Sequence, residues 1–391
     1  MGRCGLRGLG RCAARGLPDG LGVLLAAIVL AVPGRSAEPF ATQVLSSTPD
    51  AGGHVAMASL QKRLVVVWPR KSGKLAARVS VDGGLSWQVP ALDGIEPCLP
   101  GSAVAMVARN GRFHVVFVAR RESGAEVRYA SCGKQLRTWE RRDTLGVAAS
   151  DGANVSLGSE SERGGGGRIL AAWEGPRAGR VSLAWGDIGE RTWWPSEEVR
   201  APDGRCSWPA VAIVRAGGVA AFRVETGRDR IASLRVTRSG GPGQAWSAPA
   251  PAGGEGAGID PGWPSLAALE ERLLLQWSED LLIGGRALRF AQSEDWAGSF
   301  RLARRQGEAF DNGRRSEMAV NGRAVASVWE DRSQQCLRAA ISPDGGQRWS
   351  PAVRFWSYRS RTRPPAVAAC GPDFYAAWVD DEGHVRGIAL R

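Results

Sequence analysis

The sequence predicts an all-β chain, a ring of four-stranded antiparallel blades known as a β-propeller, and three observations carry that prediction. A short β-rich run ending in an aromatic recurs seven times, a second tryptophan follows six of the copies, and tight-turn signals separate the runs. No window carries a 3.6-residue apolar stripe, so helices are not expected.

The recurring run is Leu64–Trp68, His114–Phe117, Leu170–Trp173, Val219–Phe222, Leu273–Trp277, Ala326–Trp329 and Tyr375–Trp378. Its closing aromatics lie 49, 56, 49, 55, 52 and 49 residues apart, a period that belongs to a repeat architecture. Trp87, Trp139, Trp193, Trp246, Trp296 and Trp349 are the second markers, each roughly 20 residues further on. Within a unit an apolar first strand, such as Pro209–Ile213, precedes the run. Asn110-Gly111 and Asn321-Gly322 fall at the turn between the two, where Asn-Gly is a strong hairpin signal. A third strand such as Leu75–Val79 follows, and the fourth begins at the second tryptophan. Four antiparallel strands repeated about a centre make a propeller.

Closure decides the blade count. The seventh unit ends at Arg391, before its second tryptophan would occur, while Phe40–Leu45 is a strand with no unit of its own. Pairing that strand with the last blade joins the termini and favours seven blades, with six as the alternative. The propeller is expected to occupy residues 38–391 as one domain and to be a monomer.

Composition agrees with a folded chain: 391 residues, 43% hydrophobic and 23% charged. Residues 1–37 read as a signal peptide. Arg3, Arg7, Arg11 and Arg15 precede an apolar run from Leu21 to Val32 and a small-residue exit ending at Ala37. A dozen apolar residues fall short of the roughly 20 that a spanning helix needs. Export to the periplasm or the medium is therefore expected, an uncleaved anchor is the alternative, and no membrane span is expected in the mature chain. Without residues 1–37 the charge is 46 basic against 38 acidic residues, scattered rather than clustered. Nucleic acid is not expected as a partner, since that calls for a basic stripe with interleaved aromatics.

Cys4 and Cys12 leave with the signal, and Cys98, Cys132, Cys206, Cys336 and Cys370 remain without a CxxC spacing. An oxidising compartment leaves room for one or two disulfides, at least one thiol is expected to stay unpaired, and a zinc site is not expected. The three histidines stand apart from one another, so neither metal nor cofactor is expected.

Two turns between third and fourth strands carry a sharper signature. Ser80-Val81-Asp82-Gly83-Gly84-Leu85-Ser86-Trp87 and Ser342-Pro343-Asp344-Gly345-Gly346-Gln347-Arg348-Trp349 share the pattern S-x-D-x-G-x-x-W. Ser and Asp side chains can hold the turn amides, Gly supplies a positive φ, and Trp packs beneath. Fainter versions lie at Asp187–Trp193, Ser239–Trp246, Ser131–Trp139 and Ser293–Trp296. The pattern resembles the Asp box, or bacterial neuraminidase repeat (BNR), of sialidase-like β-propellers. In that family the boxes are structural and face away from the catalytic pocket, and they also occur in propellers that do no catalysis.

The resemblance implies where a site would lie: on the face formed by inter-blade links and by loops between second and third strands. Sialidases use three arginines on the substrate carboxylate, an Arg-Ile-Pro motif, an acid/base Asp, and a Tyr nucleophile helped by Glu. No Arg-Ile-Pro occurs here. Tyr129 and Tyr375 lie inside strands, which leaves Tyr358 as the candidate nucleophile. Arg205, Arg314, Arg315, Arg361 and Arg363 are candidates for binding a carboxylate. Acids expected at the same rim include Asp151, Asp260, Asp311, Glu174, Glu279, Glu330, Asp331, Asp380 and Asp381. Trp208 and Trp263 precede first strands at the rim of the central channel, where an indole can stack on a sugar. The leading expectation is an exported binding module for a glycan or an envelope partner, without efficient hydrolysis. The alternative is an exo-sialidase-type hydrolase.

Overall fold

In the computed structural model, residues 42–390 are described except 92–97, 123, 161–166, 202–203, 216, 228–230, 253–258, 282–284, 303–311 and 361–362. The expected signal peptide therefore lies outside the described residues, as do Phe40 and Ala41.

The described chain is all strand and turn, folded into seven antiparallel sheets that form the blades of a propeller. The second blade shows the plan: Val104–Arg109, Arg112–Arg121, Gly124–Gly133 and Arg141–Val147 pair in sequence order. Blades four to six repeat it. The first blade has three full strands and a single bridge, Val79 to Gln88, where the fourth begins. The third carries an extra strand, since Thr192–Trp193 and Glu197–Arg200 both pair with Arg180–Asp187. The seventh is completed as the sequence predicts: Gln43 and Val44 pair with Gly387 and Arg386 of the last strand. Each innermost strand touches the next, and Ala366–Cys370 meets Ala56–Leu60 to shut the ring.

The markers explain why the blades stack. Trp68, Phe117, Trp173, Phe222, Trp277, Trp329 and Trp378 are all at most 1% exposed. Each lies in a cluster with residues of an adjoining blade, as Trp173 does with Val116 and Val127. Removing one such ring from a core costs about 3–5 kcal/mol, so seven of them at seven seams hold the ring together.

The turn motif forms the predicted lock. Ser80 Oγ donates to Asp82 Oδ1 (2.7 Å) and accepts from Gly84 N (2.7 Å), while Asp82 Oδ1 accepts from Ser86 N (2.9 Å). Ser342, Asp344, Gly346 and Arg348 repeat this bonding. Gly84 and Gly346 have φ of +90° and +88°, and a Cβ there would strike Tyr375 or Phe290. Trp87 packs on Tyr375 and Trp349 on Phe290, with ring centroids 5.4 and 5.3 Å apart.

One assignment changes. The fifth blade has a fully bonded box: Ala297 N donates to Ser293 Oγ (2.8 Å) and Ser299 N to Asp295 Oδ1 (2.9 Å). Its eighth residue is Phe300, so Trp296 sits inside the turn and does not open the fourth strand. Ala297 takes the glycine place at φ +59°. None of the disulfides that the compartment would allow is formed: Cys98, Cys132, Cys206, Cys336 and Cys370 are each buried free thiols.

Candidate functional site at the channel mouth

Strand direction places the site. The chain enters each innermost strand from one face and turns into the second strand at the other, so the third-to-fourth-strand boxes share that second face. The entry face is therefore the one opposite the boxes. There a cavity of about 440 Å³ opens along the axis, lined by all seven innermost strands.

One position recurs around its rim, one residue before the partner of each marker aromatic. It is His54, Ala103, Asn154, Trp208, Trp263, Arg315 and Pro364 in the seven blades, and all line the cavity. In blades four, five and six the ladder slips at this point, between Ser207 and Ala210, Gly262 and Ser265, and Arg314 and Glu317. Trp208, Trp263 and Arg315 consequently hold φ values of +51°, +47° and +44°. A bulge re-aims a side chain, and left-handed bulky residues persist only where their surroundings hold them.

The holding groups are visible. Glu174 Oε1 accepts from Trp208 N at 2.9 Å and from Asn154 Nδ2 at 2.8 Å. The indoles of Trp208 and Trp263 stack, with centroids 4.2 Å apart and planes at 21°. The Arg223 guanidinium lies 5.3 Å from the Trp208 ring, and those of Arg286 and Arg315 lie 5.5 and 5.7 Å from Trp263. Asp260 ties two of these arginines together, with oxygens 2.6 Å from Arg223 and 3.2 Å from Arg286. Glu225 (2.5 Å from Arg223) and Asp280 (3.1 Å from Arg286) complete the pairing. The result is a rigid patch of indole and guanidinium, half-buried at the mouth.

Solved structures share this architecture. The chain is similar to the Hadza microbial sialidase Hz136, at 14% identity and a TM-score of 0.54, over 81% of this chain and 73% of that one. It is similar to the phage phi92 endosialidase at 12% identity and a TM-score of 0.50, over 90% and 69%. For the Trypanosoma rangeli sialidase the figures are 10%, 0.51, 89% and 59%. The chain has a sialidase-like β-propeller fold. No protein-family model and no curated protein matches it. It spans 59% of the length of the trypanosomal enzyme.

The structure places the residues singled out in the sequence differently from one another. Trp208, Trp263 and Arg315 meet in the stack. Arg314 stands beside it, half-buried, and its pKa is lowered by burial and then by its neighbours Arg286 and Arg332. Arg205 and Arg363 are exposed on the same face, and Arg361 and Asp311 lie outside the described residues. Burial, Arg363 and Arg315 together hold the His54 imidazole down to about 4, hence neutral.

Tyr358 lies apart from the stack, 5% exposed between blades six and seven. Its hydroxyl donates to Glu330 Oε1 at 3.1 Å or to the Asp331 carbonyl at 3.3 Å. Burial and the Glu330 charge push its pKa up. Glu330 itself is 1% exposed and lies 3.2 Å from Arg332 and 3.8 Å from Arg315.

Arg223 and Arg286, which carry the stack, were missed in the sequence because one lies in a second strand and the other in a third. Arg315 did have a signal, since it stands 14 residues before its marker aromatic, as Trp208 and Trp263 do. Asp380, Glu382 and His384 bring oxygen and nitrogen atoms within 4.8 Å of one another. Asp380 is committed to Arg386 (2.5 Å) and to the His384 amide (2.8 Å), the pattern of a loop lock.

Proposed function

We propose that the chain is an exported propeller that binds a glycan, or a glycan-bearing envelope partner, at its channel mouth without efficient hydrolysis. The observation that carries this reading is the concentration of strained backbone in three consecutive blades, where it presents Trp208, Trp263 and Arg315 together. Stacked indoles give a flat apolar platform suited to a sugar face, and guanidinium groups give donors for its oxygens. The acids that pair with Arg223 and Arg286 fix these groups in place. Glycan-array binding by the purified mature chain tests the proposal. Binding lost in Trp263→Ala supports it, and an array silent for the parent protein overturns it. Export is tested separately by intact mass of the protein recovered from fractionated cells, which should show that residues 1–37 are gone.

A hydrolase of the exo-sialidase type is the second reading, and the Tyr358 to Glu330 hydrogen bond is the observation in its favour. A nucleophilic phenol needs access and activation, whereas this one is enclosed and its pKa is raised. No turnover of a fluorogenic sialoside is therefore expected. Turnover abolished by Tyr358→Phe would establish the second reading instead.

A further inference from the structure

The channel below the mouth repeats a second position, two residues inside the first. It is Ala56, Ala105 and Ala210 in three blades, Ser156 and Ser265 in two, and Glu317 in the sixth, all on the cavity wall, while the seventh-blade counterpart Ala366 is fully buried. An innermost strand is an edge strand, so alternate N–H and C=O groups turn away from the ladder toward the axis. Side chains at this position cap the N–H of the next blade: Ser156 Oγ accepts from Val211 N (3.1 Å) and Ser265 Oγ from Met318 N (3.2 Å). The Glu317 carboxyl takes the same role toward Val367 N. Where the residue is alanine no side-chain oxygen is offered at this level. Ser316 adds a buried hydroxyl without a hydrogen-bond partner among the described residues.

We propose that this channel is a subsite for a neutral, hydroxyl-bearing sugar, with Glu317 as its principal side-chain hydrogen-bonding group. A wall of mixed N–H, C=O and O–H groups matches a ligand whose every oxygen both donates and accepts. The cavity of about 440 Å³ that takes in both the mouth and this inner level lies in the range of small-molecule sites. Glu317 is the one long side chain at a level of alanine and serine, so it reaches into space its counterparts leave open. Burial raises its pKa to about 8, which keeps it a neutral donor at neutral pH. The charged and titratable groups above it are Arg315 from its own strand, His54 from blade one and Arg363 from the link into blade seven. His54 titrates near 4, so Glu317 governs the change between about pH 6 and 10.

The subsite rests on the reading of the mouth as a binding surface, and two probes separate them. Methyl β-galactoside reports the channel, and the glycan array reports the mouth. The parent protein should bind the methyl glycoside, by ligand-observed NMR, about tenfold more tightly at pH about 6 than at about 10. Glu317→Gln should keep the affinity and lose the pH dependence, and Glu317→Ala should weaken binding about tenfold at the lower pH. Array binding without methyl glycoside binding overturns the subsite alone, and silence of both probes overturns both readings. A pH dependence that survives in Glu317→Gln also overturns the assignment, and since Gln is isosteric that variant is expected to melt as the parent does.

Discussion

Gln43→Ala tests the ring closure most directly. Gln43 stands in the short N-terminal strand that completes the last blade, and its side chain joins that blade to the first. Its Oε1 accepts from Trp87 Nε1 at 2.7 Å and from the Tyr375 hydroxyl at 2.9 Å, while its Nε2 donates to the Leu85 carbonyl at 3.2 Å. Alanine removes the acceptor of both donors. Tyr375 is 2% exposed, so its hydroxyl loses its partner without gaining water, at a cost of about 1–3 kcal/mol. The Trp87 indole is partly solvated and adds about 1 kcal/mol, for a total of about 2–4 kcal/mol. With an unfolding entropy near 2.1 cal/mol/K per residue over about 350 residues, each kcal/mol moves Tm by about 1.4 °C. Tryptophan fluorescence during a thermal ramp should therefore show a fall of about 3–6 °C. Gln43→Glu keeps both acceptor interactions and should lose less than half as much. A Gln43→Ala protein that melts within about 1 °C of the parent would refute the closure argument.

Three further expectations concern the boxes, the thiols and the mouth. Ser86, Ser299 and Arg348 hold the carboxyls of Asp82, Asp295 and Asp344 down to about 2. A depressed carboxyl stabilises the fold above its unfolded pKa. That contribution should vanish as pH falls from about 4 to about 2, and a triple Asp→Asn variant should show a flatter acid limb in Tm against pH. Burial pushes the thiols of Cys98 and Cys206 up to about 11 and that of Cys132 to about 12. A disulfide reagent at neutral pH should leave all five propeller thiols unmodified until denaturant is added, and fast labelling of the native protein would contradict their burial. Trp208→Ala or Trp263→Ala should weaken glycan binding about ten- to a hundredfold, roughly 1.4–2.8 kcal/mol, with the circular dichroism unchanged. An unchanged affinity in both would remove the indoles from the site.

The blade count was legible because packing fixes it. The marker at every seam is Trp or Phe and at most 1% exposed, so its spacing can be read in the sequence although the loops differ in length. The same logic explains the misassigned Trp296. A tryptophan near the expected distance reads as the box residue, but the hydrogen bonds of Ser293 and Asp295 count eight residues to Phe300. Aromatic identity was conveyed by composition, whereas register is conveyed by backbone amides, which composition does not record. The thiols show a further limit. The compartment allowed cross-links, but each cysteine is buried as a free thiol in a different strand or link.

The mouth was only half legible, and the reason bears on its function. A repeat makes each position comparable across blades, so a residue that serves the fold alone should be filled alike in every copy, as the marker aromatics are. The rim position is filled by His, Ala, Asn, Trp, Trp, Arg and Pro. Nothing in the stacking of blades requires that diversity, and in three blades it comes with a slipped ladder and a left-handed backbone. Strain at a place where the repeat is otherwise relaxed implies that the displaced side chains serve something other than the ring. The supporting residues come from three blades: Glu174 and Arg223 directly follow their markers, whereas Asp260 and Arg286, both of the fifth blade, stand well before and well after theirs. Period alone finds residues in equivalent places, whereas a site assembled from inequivalent places needs the closed ring before its members can be recognised.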